Sequence, residues 1–98
     1  MMNMQDKMMA KLHAIADDLS LDFLDQREAS NTGVVFVQQD LTTLLVIEYS
    51  WQSTYATIYL SKGDALRTRL AEWHHLDYHD GTRLAELLGT VRAHLSGV

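Results

Sequence analysis

TLLVIEYSWQSTYATIYLS, residues 43–61, decides the fold class of this chain. Thr, Val, Ile, Tyr and Trp crowd it, and such side chains suit a pleated, half-buried surface. Its halves, Thr43 to Ser50 and Ser53 to Ser61, read as two strands, with Trp51-Gln52 as a two-residue turn between them. That turn sets a register of Ser50 with Ser53, Glu48 with Tyr55, Val46 with Thr57 and Leu44 with Tyr59. Ile47, Leu45 and Thr43 then face Ala56, Ile58 and Leu60, on the side that helices should cover. The other side carries Leu44, Val46, Glu48, Tyr55, Thr57 and Tyr59. A fully solvated face is normally more polar than this. Its cover is a second copy of the chain, a partner protein or one of the helices, and it is taken as the expected binding face.

Working outward, Val34 to Gln38 reads as another strand, bounded by the turn clusters SNTG (30–33) and QDLT (39–42). Leu19, Leu21 and Phe23 alternate with Ser20 and Asp22, which predicts a short strand near 20–28. Before it, Met4, Met8, Leu12, Ile15 and Leu19 recur at steps of three and four. This is the stripe of an amphipathic helix over 4–19, with Asn3 as its cap. All five methionines fall in the first nine residues, where they serve better as core filling than as a binding stripe.

Beyond the central pair, Leu66, Leu70 and Trp73 are spaced four and three apart. This predicts a helix over 63–75, with Ser61 and Asp64 resembling a capping box. Leu84, Leu87, Leu88, Val91 and Leu95 predict a second helix over 82–95, capped by Asp80 or Thr82 and ended by Gly97. Gly89 lies inside it and suggests a close approach by another element. The expected fold is α+β, one domain spanning residues 1–98. It has an N-terminal helix, a three- to four-stranded antiparallel meander sheet, and two C-terminal helices packed on one sheet face.

The chain has 98 residues and a net charge of −5, unevenly placed. Between Leu12 and Ser61 lie seven acids and one base, Arg27; from Lys62 onward five bases balance five acids. An acidic half disfavours direct nucleic-acid binding, which depends on Lys and Arg displacing counterions from phosphates. It suits a basic partner. Absence of cysteine excludes disulfides, thiolate metal sites and a cysteine nucleophile. No apolar run approaches the ~20 residues of a membrane span, and the N-terminal stretch lacks the apolar core of a secretory signal, so a cytoplasmic protein is expected.

HHLDYHD, residues 74–80, is the segment richest in potential metal ligands. Imidazoles and carboxylates bind zinc and similar ions, so His74, His75, His79 and Asp80 form a candidate metal site for a metal-dependent enzyme or regulator. Against this, His74 and His75 diverge on a helix, and Asp80 is wanted as a cap. No G-x-S-x-G elbow or glycine-rich phosphate loop is present, so no catalytic residue is assigned and no cofactor is expected. The expectation is a small acidic non-enzymatic binding module. It docks a basic partner protein through Leu44, Val46, Glu48, Tyr55 and Tyr59, with Asp22 and Asp25 adding charge. A homodimer through the same face is also expected. Fold-and-size analogy, without a shared motif, points to an inhibitor, an immunity protein or a secretion chaperone.

Overall fold

A computed structural model of the chain describes residues 4–29, 31–52, 55–63, 68–74 and 81–97. Helix α1 (Met4–Asp18) leads into five strands: β1 (Asp22–Ala29), β2 (Thr32–Gln39), β3 (Thr42–Gln52), β4 (Tyr55–Lys62) and β5 (Arg69–Trp73). Helix α2 (Gly81–Ser96) follows. The strands form one antiparallel sheet in the order β1-β2-β3-β4-β5, a continuous meander. The architecture is thus α+β, as expected, but with five strands and one C-terminal helix among the described residues.

Both helices pack on one side of the sheet. From α1 come Met8, Met9, Leu12, Ile15 and Ala16, and from α2 come Leu84, Leu87, Val91 and Leu95. They meet alternate residues of the central strands: Val35 and Val37, then Leu45, Ile47, Tyr49 and Trp51, then Ala56, Ile58 and Leu60. The methionines Met8 and Met9 are therefore core. Two ties brace the helices outside it. Arg92 donates to Asp18 at 2.9 Å, joining the ends of α1 and α2, and the His94 Nε2–H donates to the Leu44 carbonyl at 3.0 Å.

Helix α1 stops through backbone geometry that glycine usually supplies. Ser20 has φ 57°, its N–H bonds the Asp17 carbonyl, and the Leu21 N–H bonds the Ala16 carbonyl. This is a Schellman closure, and half-buried Leu21 packs on the core beyond it. The turn between β2 and β3 also uses left-handed residues. Asp40 (φ 50°) and Leu41 (φ 66°) make a type I′ pair, whose twist matches the flanking strands.

Three local readings are corrected. The predicted helix over 63–75 is strand β5 between Arg69 and Trp73; residues 64–67 lie outside the described residues. A bulge explains the misleading spacing. Leu60 pairs with Ala71 and Ser61 with Arg69, so Leu70 is an extra residue. Leu70 and Trp73, three apart, consequently both pack on the core, as they would on a helix.

The β3–β4 register also differs. Glu48 faces Tyr59, Ser50 faces Thr57 and Gln52 faces Tyr55, a slip of four residues from the expected pairing. The connection falls at residues 53–54, outside the described residues, and Trp51-Gln52 belong to β3. The longer ladder lets Trp51, 8 % exposed, continue the core row opposite Ala56. An even slip keeps Leu45, Val46, Ile47, Glu48, Ala56, Thr57, Ile58 and Tyr59 on their expected faces. Finally, Gly89 admits no close neighbour, because a Cβ built there meets nothing within 4 Å.

Candidate functional site on the uncovered sheet face

Among the described residues, no helix or strand packs on the opposite face of the sheet. Alternation dictates what it carries. Residues between core positions point to it: Val34 and Phe36 on β2, Val46, Glu48 and Ser50 on β3, Thr57, Tyr59 and Ser61 on β4, and Glu72 on β5. Pairing arranges them in rows. One row runs Leu24, Phe36, Val46, Ser61 and a second runs Gln26, Val34, Glu48, Tyr59, Glu72. Val46 is 1 % exposed although it lies outside the core beneath the helices, and Leu24 at the β1 edge is 44 % exposed. The first row is thus apolar from edge to centre.

Beside that row the face is concave. An open groove of about 740 Å³ is lined by Glu28, Thr32, Val34, Glu48, Ser50, Gln52, Thr57 and Tyr59, with Gly33 and Tyr49. Glu28 reaches it as the extra residue of a bulge between Arg27 and Ala29. Among the described residues the lining holds two carboxylates and no Lys or Arg. Glu28 and Glu48 are exposed, and neither forms an ion pair among the described residues. Among the described lining residues, the charge of the groove is therefore negative.

Tyr59 closes one end, inside a polar cluster. The Arg69 guanidinium lies 4.5 Å from its ring centroid, and the His74 ring meets it edge-on at 5.9 Å. Glu72 Oε2 lies 3.4 Å from Arg69 Nη1 and 3.5 Å from His74 Nε2. The bulge at Leu70 is what turns Arg69 onto the face of Glu72 and Tyr59.

The expected partner-binding residues divide. Glu48 and Tyr59 share the uncovered face, and the register makes them direct neighbours. Val46 lies there too, but fully buried. Tyr55 pairs with Gln52 through its backbone, and its side chain lies outside the described residues. Asp22, exposed at the start of β1, pairs with Gln38. Leu44 is the extra residue of a third bulge, where Val37 pairs with Leu45 and Gln38 with Thr43, and its side chain packs on the core.

Asp25 belongs to the helix side. It accepts the Tyr49 hydroxyl at 3.1 Å and Arg27 Nε at 3.2 Å. Burial of Tyr49, reinforced by the hydrogen bond to this carboxylate, pushes the phenol pKa up to about 12. Asp25 thus works within the fold rather than in the groove.

Of the candidate metal ligands, His74 is exposed beside Glu72, while His75, His79 and Asp80 lie outside the described residues. Among the described residues no group of three potential ligands converges. Sequence reading passed over Glu28, Arg69 and Glu72. Each owes its position to a bulge or to strand β5, whose spacing imitated a helix. No helix among the described residues is long and apolar enough to cross a membrane. No protein-family model, curated protein or solved structure matches the chain at a significant level.

Proposed function

We propose that this protein is a small non-enzymatic binding module that receives a basic partner protein on its uncovered sheet face, as an inhibitor, immunity protein or secretion chaperone would. The observation that carries this reading is the groove itself: among the described residues, two carboxylates without an ion pair, Glu28 and Glu48, and no cation in the lining. A net charge of −5 adds a long-range attraction for the same partner. Leu24, exposed at the β1 edge beside the groove, supplies apolar area to bury once charge has steered the encounter. A second copy is a poorer occupant, because groove against groove across a two-fold axis brings like carboxylates together.

The test begins with affinity capture from the source cell, followed by titration of the captured partner against salt. Affinity is expected to fall as salt rises, since exposed charges are screened over roughly 8–10 Å at physiological ionic strength. Glu28→Lys with Glu48→Lys should slow association more than it speeds dissociation. Salt-independent binding, or full binding by the double reversal, rules out the groove as the docking site. Sedimentation giving a tight dimer closed through this face rules it out as well.

A further inference from the structure

We infer that the cross-strand row Glu48–Tyr59–Glu72 is an arginine-recognition subsite of the groove, and that Arg69 fills it in the free protein. This rests on the docking function proposed above and names its anchoring group. Tyr59 pairs with Glu48 on β3 and with Glu72 on β5, so one aromatic ring stands between two carboxylates on a single face. Neighbouring strands lie about 4.8 Å apart, which puts both carboxylates within reach of a cation seated on the ring. A ring face attracts a cation through its quadrupole, and a carboxylate adds charge-assisted hydrogen bonds.

The chain displays this chemistry with its own side chain. Arg69 sits 4.5 Å from the Tyr59 centroid and 3.4 Å from Glu72. It is held loosely: charge-assisted N–H···O bonds run about 2.7–2.9 Å, and the Arg69 side chain is 61 % exposed. Glu48, on the other flank of the ring, has no cation among the described residues. Among the described residues one guanidinium thus lies on the ring between two carboxylates and pairs with only one of them, Glu72. An arginine from the partner can stack on Tyr59 and fork onto Glu48, displacing Arg69 toward Glu72. Arginine fits better than lysine because its planar guanidinium stacks and presents paired N–H donors. Glu28 lies two strands and two residues from Glu48, about 12 Å away by strand geometry, leaving room for a second basic side chain in the same groove.

The test uses an acetylated, amidated hexa-arginine peptide, titrated calorimetrically at low salt. Wild-type protein should bind it, and bind hexa-lysine more weakly. Arg69→Ala should tighten hexa-arginine two- to fivefold, the size of one exposed cation–aromatic contact. Lys62→Ala removes the same charge away from the ring and should give a smaller gain. Tyr59→Phe keeps the ring and should keep the Arg69→Ala gain, whereas Tyr59→Leu should remove it. A wild-type protein that ignores hexa-arginine overturns the docking function and the subsite together. Binding by wild type, with equal gains from Arg69→Ala and Lys62→Ala or a gain that survives Tyr59→Leu, overturns the subsite alone. If Tyr59→Leu fails to fold, the Tyr59 ring resonances of wild type decide: they must shift on adding peptide, and unmoved resonances overturn the subsite.

Discussion

Tyr49 reaches across Gly33 to donate its phenol to Asp25 at 3.1 Å, binding the central strand β3 to the edge strand β1 over the strand between them. Gly33 permits this, because a Cβ there would come within 2.5 Å of the phenol oxygen and 2.8 Å of the Gln26 carbonyl. Gly33→Ala should push the ring aside and break the bond. We expect a loss of about 2 kcal/mol or more, combining overpacking with a lost hydrogen bond. Tyr49→Phe, which removes only the hydroxyl, should cost about 1 kcal/mol. Urea denaturation of both variants checks this, and a Gly33→Ala protein as stable as wild type refutes the contact.

The same phenol gives the fold an alkaline weakness. Its pKa is raised to about 12 in the native state, above the ordinary value of 10.0, by burial and then by its bond to Asp25. The unfolded chain therefore loses this proton at lower pH than the folded one. The stabilisation is complete below about pH 10 and drains away as pH climbs toward 12. Tyr49→Phe should show a flatter decline over that window than wild type. Denaturant midpoints at pH 9 and pH 11 give the comparison.

Two positions carry removable backbone penalties. Gly89 lies in the middle of α2 with open space around it, so Gly89→Ala should stabilise by about 1 kcal/mol. Leu41 is 91 % exposed with φ 66°, a left-handed conformation costing a branched side chain roughly 1–2 kcal/mol. Leu41→Gly recovers part of that cost, less the entropy that glycine adds to the unfolded chain. A net gain of about 0.5 kcal/mol is expected. Thermal melts of each variant and of the pair should show additive shifts, the sites being remote.

Neighbouring residues of β4 should respond unequally to truncation. Ile58 is fully buried beneath the helices, and Ile58→Ala should cost about 2–5 kcal/mol. Tyr59, one residue on, is half-buried on the uncovered face. Tyr59→Ala should cost about 1 kcal/mol and leave a folded protein. Equal losses in paired denaturation curves would mean that the second face is also core.

Much of the fold was legible because periodicity reports burial directly. The helix stripe of Met8, Leu12 and Ile15, and the stripe of Leu84, Leu87, Val91 and Leu95, are all buried in α1 and α2, where Met9 and Ala16 join them. The facing sets of β3 and β4 were also readable, since an even register slip changes partners without changing faces. Half of the candidate site followed from this, namely Glu48 and Tyr59 on one face.

The sequence by itself determined the α+β class, the stripes of α1 and α2, the strand faces away from the bulges and the acidic balance, because each depends on local period and composition. Only the tertiary structure decided the rest. Leu70 and Trp73 satisfy a helix and a bulged strand equally, and β5 wins because pairing with β4 satisfies backbone groups along an otherwise open edge. Bulges at Glu28, Leu44 and Leu70 then placed Glu28 in the groove, sent Leu44 to the core and swung Arg69 over Tyr59. A bulge is an extra residue relative to a partner strand, so it exists only in the pairing of distant segments, and no single segment records it.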